Sequence, residues 1–285
     1  MRSLWMLVAA FMFAGMGVLV KLGADYFSSV EMVFYRSLFG LWVTFLVIRY
    51  YGGTLLTPHW EVHCWRGLFG LGGMLLFFYC ITQLPLATAV SLNYSWPLFL
   101  ALFSSLVLKE HLHWPLVVAI AIGFVGVILL LRPTVHGDQL MAGLMGLASG
   151  FSAAIAYLNV RQLGNLGETE WRVVFYFTLI STVVTGIWLL LTAFNPVTID
   201  NVMLLIGLGI TATLAQLAMT RAYRTGKTLV VSSLGYSTVL FAGFWGMLIW
   251  NESYPFIAWL GMGFIILGGS LSGILGFLLP KSTQK

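Results

Sequence analysis

The sequence predicts an all-α integral membrane protein, with ten transmembrane helices forming two inverted five-helix repeats. Three observations predict it: a composition too apolar for water, ten apolar runs of membrane-crossing length, and a match of the chain to itself at an offset of 142 residues. Of 285 residues, 60% are hydrophobic and 8% are charged, whereas a soluble domain is about 45–50% apolar and about 25% charged. Fourteen basic and nine acidic side chains cannot cover a water-facing surface of this size. An ordinary soluble enzyme is excluded, and so is disorder, which needs low hydrophobicity. The net charge of +5 is scattered, with no basic run to hold nucleic acid.

A helix crosses the hydrocarbon core with about 20 mostly apolar residues. The first such run, 3–21, ends at Lys21, and the second is 30–50. Its basic start at Met1-Arg2 also suits a signal peptide, but with no polar domain following, a retained span is expected. Thr57-Pro58-His59 separates the second from the third, 65–84, and Leu84-Pro85 separates that from the fourth, 88–108. Trp114-Pro115 opens the fifth, 115–132, and Arg132-Pro133 closes it before the sixth, 140–161. The seventh, 172–194, stops at Asn195-Pro196 before the eighth, 202–224. The ninth, 229–250, and tenth, 256–279, flank Tyr254-Pro255. Proline marks these boundaries because it lacks the N–H that continues a helix. No loop is long enough to fold as a separate domain. Cys64 and Cys80 lie 16 residues apart on one helix. That is roughly 24 Å, far beyond disulfide reach.

Eleven of the 14 basic residues, among them Arg49, Arg66, Arg161, Arg172, Arg221 and Arg224, fall on the side shared by the termini. The opposite side has Lys21 and Arg132, and Arg36 falls inside a span. The positive-inside rule then makes both termini cytoplasmic.

At the offset of 142, Ser91 meets Ser233, Tyr94 meets Tyr236, Glu110 meets Glu252 and Gly126 meets Gly268. At an offset of 140, Lys21 meets Arg161. Polar and glycine pairs in one register outweigh Leu and Phe coincidences. Five spans separate matched positions, and five is odd, so the second copy enters the membrane upside down. The halves are 1–137 and 138–285. Inverted repeats suit alternating access, an expectation of transport.

The segment from Pro85 through Asn93-Tyr94-Ser95-Trp96-Pro97, with Leu108-Lys109-Glu110, resembles the fourth span of EamA-type carriers of the drug/metabolite transporter superfamily. The second half repeats it as Arg221-Ala222-Tyr223, Ser233-Leu234-Gly235-Tyr236 and Asn251-Glu252. Asn251 departs from the glycine more usual there. The resemblance covers essentially the whole chain. It implies a bundle of five plus five helices around a central cavity, mostly serving export of metabolites.

Arg36 lies about 9 Å inside span 2, where it either snorkels or faces a cavity and grips a carboxylate or phosphate. Span 4 carries Ser91, Asn93, Tyr94, Ser95 and Trp96 before Pro97, which frees a carbonyl one turn earlier. Span 9 answers with Ser232, Ser233, Tyr236, Ser237 and Thr238 at matching depth. Such density reads as a substrate cavity, or else as interhelical hydrogen bonding. The candidate substrate-binding set is Arg36, Tyr79, Asn93, Tyr94, Trp96, Tyr157, Gln216, Ser233 and Tyr236, with Asn159 and Tyr176 as further polar positions. Glu110, Glu252 and Pro97 are assigned gating or structural roles. Gly146 with Gly150, and Gly269 with Gly273, have the spacing of close helix crossings. The tryptophans near span ends are interface anchors.

No phosphate-binding loop, dinucleotide motif, zinc motif or hydrolase constellation fits the chain, so no cofactor or metal is expected. The expected function is secondary transport of small organic metabolites such as amino acids or vitamins, by export across the inner membrane. The alternative is a membrane-embedded enzyme or accessory subunit without transport. Expected partners are the metabolite and the lipid bilayer; proton coupling, and monomer against homodimer, stay open.

Overall fold

The computed structural model describes residues 4–99, 114–134, 139–192, 194–225, 231 and 234–278. Lys109, Glu110 and Ser233 lie outside the described residues. Ten helices of eight residues or more are described. They are α1 (Trp5–Gly23), α2 (Ser29–Tyr50), α3 (Trp60–Gln83), α4 (Leu86–Asn93), α5 (Trp114–Thr134), α6 (Leu140–Asn165), α7 (Glu170–Leu191), α8 (Ile199–Thr225), α9 (Ser237–Trp250) and α10 (Phe256–Leu278). Among the described residues α1, α2, α3, α6, α7 and α8 are each long and apolar enough to cross a membrane.

The surface inverts that of a soluble protein. Trp42, Leu46, Ile128, Ile187, Leu191 and Leu240 are exposed, while Arg36, Arg66, Ser37, Thr44 and Ser181 are buried. Apolar side chains outside and polar ones inside minimise free energy when the solvent is hydrocarbon. Many buried hydroxyls bond their own helix: Thr44 donates to the Gly40 carbonyl at 2.7 Å and Ser91 to Ala87 at 2.7 Å. Span 4's Ser91 and Ser95 are thereby turned onto backbone, the latter donating to the Leu92 carbonyl at 2.6 Å.

The helices pack as a closed network. The principal pairs are α5 with α10, α2 with α7, and α4 with α9; α3 with α6 and α1 with α8; α2 with α8 and α3 with α7; α1 with α9 and α4 with α6. Exchanging each helix for the one five places along returns the same set. The pairing of helices thus has the five-plus-five symmetry that the sequence repeat leads one to expect.

Local signals set the ends. Ser28 and Glu31 form a capping box at the start of α2. Glu31 also accepts from the backbone and side chain of Asn195, at 2.5 Å and 2.8 Å, tying α2 to the α7–α8 link. Asn251 ends α9 in the left-handed region, φ 50°. Asparagine tolerates that conformation and glycine prefers it, which accounts for the glycine the resemblance leads one to expect.

The fourth span differs from the expected continuous helix. It stops at Asn93, turns at Tyr94 and Ser95, and resumes as helix over 96–99. Pro97 offers no N–H, so the ladder is interrupted one turn earlier. The second half is interrupted at the equivalent place, with a turn residue at Tyr236 before α9. Gly150 lets α6 approach the first break: a Cβ there would sit 2.6 Å from Ser95 Oγ and 2.9 Å from the Asn93 carbonyl oxygen.

Candidate functional site between the halves

The breaks border a cavity of about 70 Å³ at the centre of the bundle. Its wall is assembled from both halves: Phe13 and Met16 of α1, Arg36 of α2, Arg66, Met74 and Phe77 of α3, and Asn93 and Tyr94. The second half adds Tyr157 of α6, Phe177 of α7, Gln216 of α8 and Thr238 of α9. Asn93 donates its amide hydrogen to Ser149 Oγ at 2.9 Å, which leaves its carbonyl oxygen as a polar group beside the cavity. The Tyr94 hydroxyl and Thr238 Oγ1 share a hydrogen bond of 2.7 Å across the two halves.

Two arginines dominate the electrostatics. Arg36 and Arg66 are 2% and 3% exposed. The Phe177 ring lies 4.1 Å from Arg66 Cζ and 5.8 Å from Arg36 Cζ. The two charges are thus no more than about 10 Å apart, a separation at which cation–π contact with one ring serves both. At an effective dielectric constant of about 20 their repulsion is roughly 2 kcal/mol. Arg66 donates to Gln216 Oε1 at 3.3 Å, and Arg36 Nη1 meets Met74 Sδ. Both partners are neutral, and among the described residues each buried Nε has no acceptor. Gly70, one turn beyond Arg66, makes room for its guanidinium: a Cβ there would overlap Arg66 Nη1 and stand 2.9 Å from Phe177 Cε2.

Of the residues singled out from sequence, Arg36, Asn93, Tyr94, Tyr157 and Gln216 line this cavity. Tyr236 and Trp96 are buried behind it. The Tyr236 ring packs on Tyr94 with centroids 6.2 Å apart, and Trp96 lies 4.6 Å from the Tyr157 ring. Pro97 is buried at the break. Tyr79 is placed elsewhere: it is 39% exposed on the outer side of α3. Each helical residue is turned about 100° from the last, and its neighbours Phe78 and Cys80 take the buried flanks. Asn159 bonds its own helix at Ile155, and Tyr176 donates to the Leu55 carbonyl at 2.9 Å, both away from the cavity.

Arg66 is the principal correction. An apolar run beginning at residue 65 puts it on the terminal side. The helix starts at Trp60, which carries Arg66 a turn and a half inward. The spacing of Arg66 to Gly70 was the signal available in sequence, since a glycine one turn away leaves space for a long side chain to lie along its own helix.

At the end where α1 finishes, Glu252 gathers contacts from both halves. Lys21 pairs with it, the Leu86 N–H donates to it at 3.1 Å, and the Tyr254 hydroxyl donates to it as well. Lys21 also donates to the Leu84 carbonyl at 3.3 Å and sits 5.0 Å over the Trp250 ring. Burial and the hydrogen bond to Glu252 push the Tyr254 phenol well above its ordinary value, which keeps it a neutral donor. At the other end is a second cavity of about 240 Å³, with Arg161, Glu168, Thr220, Tyr223 and Arg224 in its wall. Tyr157 of the central cavity and Tyr223 of this one stack at 6.1 Å and 26°, forming the partition between them.

The sequence profile of the EamA-like transporter family matches this chain twice, over residues 2–132 and 140–274. This chain belongs to the EamA-like transporter family. It is accordingly a multi-pass membrane protein of transporter type. The chain is 31% identical over 250 residues to the pseudopaline exporter CntI of Pseudomonas aeruginosa, covering 86% of each protein. To an uncharacterized transporter of Helicobacter pylori it is 28% identical over 280 residues, covering 95% of this chain and 94% of that one. An S-adenosylmethionine uptake transporter of Rickettsia bellii is 26% identical over 256 residues, covering 87% and 84%. A solved crystal structure with 18% identity superimposes with a TM-score of 0.69 over 96% of this chain and 98% of the other, which shows the shared fold.

Proposed function

We propose that the protein is a secondary carrier exporting a small organic metabolite across the inner membrane by alternating access, with both termini cytoplasmic. The supporting observation is the central cavity walled by both halves, with Tyr94 of one half bonded to Thr238 of the other. A site at the seam of two inverted repeats changes its exposure when one half rocks against the other. Units 1–137 and 138–285 are the rocking bodies. Substrate contacts Arg36, Asn93, Tyr94, Tyr157 and Gln216, while Trp96 and Tyr236 support the ring faces from behind. Lys21, Glu252 and Tyr254 close the outer end, and the Tyr157–Tyr223 stack closes the cytoplasmic one. The repeat register assigns Glu110 a role at the cytoplasmic end equivalent to that of Glu252. The transporter names of the relatives, an exporter and an uptake protein, support the carrier reading.

The test is counterflow. Proteoliposomes preloaded with isotope-labelled bacterial metabolite extract are diluted into unlabelled extract, and loss of label is followed compound by compound. Saturable exchange of a discrete set of compounds is the expected result. Exchange of none, or non-saturable leakage of all, overturns the carrier reading.

A further inference from the structure

Among the described residues the ion pairs are Lys21–Glu252, Arg172–Glu168, Arg224–Glu170 and the long His63–Glu168 contact. None involves Arg36 or Arg66. Guanidinium stays charged in proteins, so the cavity wall carries two positive charges whose bonded partners, among the described residues, are a thioether and an amide oxygen. A buried charge without an opposite charge is strongly unfavourable, and two like charges near one ring compound it. A monoanion would leave one guanidinium unmatched, and a cation would be repelled by both.

We propose that the substrate held in this cavity is a small organic dianion, either a dicarboxylate or a phosphate monoester, gripped by Arg36 and Arg66 together. The proposal rests on the carrier reading above and names its cargo class. The forked donors of each guanidinium suit carboxylate and phosphate oxygens alike. Both side chains carry a buried Nε with no acceptor among the described residues, so each has a donor left for the anion. Gly70 leaves open the space in which the Arg66 guanidinium lies against Phe177. The hydroxyl, phenol and amide groups of Thr238, Tyr157 and Asn93 then face the uncharged remainder of the molecule.

The experiment uses the purified full-length protein in proteoliposomes with succinate, glutarate, glycerol 3-phosphate, butyrate, glutamine and putrescine as probes, alongside the extract counterflow. A dianion should compete for exchange at least about tenfold more tightly than butyrate, glutamine or putrescine. Success with succinate or glutarate identifies a dicarboxylate carrier, and success with glycerol 3-phosphate a phosphate-ester carrier. Arg36→Gln and Arg66→Gln should each erase the preference for two charges over one. Arg36→Lys and Arg66→Lys should restore part of it. Gly70→Ala should mimic Arg66→Gln without removing a charge. Size-exclusion profiles confirm that each variant is folded, and the ratio of dianion to monoanion affinity is a readout that a purely structural arginine would not move. If extract compounds exchange but butyrate, glutamine or putrescine competes as well as the dianions, or no probe competes, the dianion proposal falls and the carrier reading stands. The dianion proposal falls in the same way if the folded variants keep the parent's ratio within about twofold, a change too small for a lost buried ion pair. If nothing exchanges at all, the carrier reading falls and takes this proposal with it.

Discussion

Tyr94 and Tyr236 pack ring against ring, centroids 6.2 Å apart and planes tilted by 54°, each at the residue where its helix is interrupted. They are equivalent positions of the two repeats, so their contact lies on the relation that exchanges the halves. Only Tyr94 reaches the cavity, and its hydroxyl bonds Thr238. The repeat is symmetric in backbone and asymmetric in chemistry, as a site for one asymmetric molecule requires.

Removing that ring should damage transport more than removing its hydroxyl. Tyr94→Ala takes away a cavity wall and should lower counterflow at least about tenfold, since truncating a buried aromatic costs about 3–5 kcal/mol. Tyr94→Phe loses one hydrogen bond worth about 1 kcal/mol and should cost about fivefold. Rates in proteoliposomes at matched protein density check both. Equal rates for the parent and Tyr94→Ala would exclude Tyr94 from the substrate site.

The Lys21–Glu252 pair should be strongly coupled, because both side chains are largely buried, 18% and 10% exposed. Lys21→Met leaves the carboxylate without its cation and should destabilise the protein by about 3 kcal/mol. Glu252→Gln keeps an acceptor for the Leu86 N–H and should cost less. A double-mutant cycle on melting temperature, with a coupling of about 1–3 kcal/mol, measures the pair.

Gly150→Ala should destabilise by about 1–3 kcal/mol, the cost of overpacking. Its Cβ would meet the Asn93 carbonyl oxygen at 2.9 Å and that of Leu92 at 3.0 Å. Backbone there cannot step aside as a side chain can, so α6 would be pushed from the break. Thermal unfolding in detergent reads the loss.

Tyr223→Ala should thin the partition between the two cavities. A cysteine introduced at Thr238, in a background where Cys64 and Cys80 are serine, should then react faster with a membrane-permeant thiol reagent than in the Tyr223 parent. Unchanged labelling would remove Tyr223 from the inner closure.

Stability should fall in acid through Glu168, which lies between α6 and α7 and is 3% exposed. Burial alone would raise its carboxyl pKa, but hydrogen bonds from Thr57 and Arg172, together with the Arg172 charge, outweigh burial and hold it below its ordinary value of 4.5. A carboxylate with a depressed folded pKa contributes stability in full above the unfolded value, and loses it as pH falls through the folded one. The Arg172 guanidinium donates at 2.7 Å and also bonds the Thr54 backbone at 3.0 Å, so this link joins the α2–α3 and α6–α7 connections. Melting temperatures of the parent and Glu168→Gln should differ most above pH 4.5 and converge as the solution becomes more acidic.

Lipid made the class and the count of helices readable from sequence. The hydrocarbon thickness fixes the length of each span, and the cost of charge in it fixes where spans end. The duplication was readable because Tyr94 with Tyr236 and Gly126 with Gly268 fall in one register, and the packing network carries the same exchange. Direction around each helix was not readable. A helix that is apolar on every side gives no periodicity to separate its lipid face from its core face, since both surroundings are apolar. Tertiary packing alone decided that Arg66 points inward beside Arg36, that Tyr79 points outward, and that Tyr236 stands behind Tyr94. Sequence determined that the chain is built for lipid; only the neighbours of each helix decided which side chains meet one another.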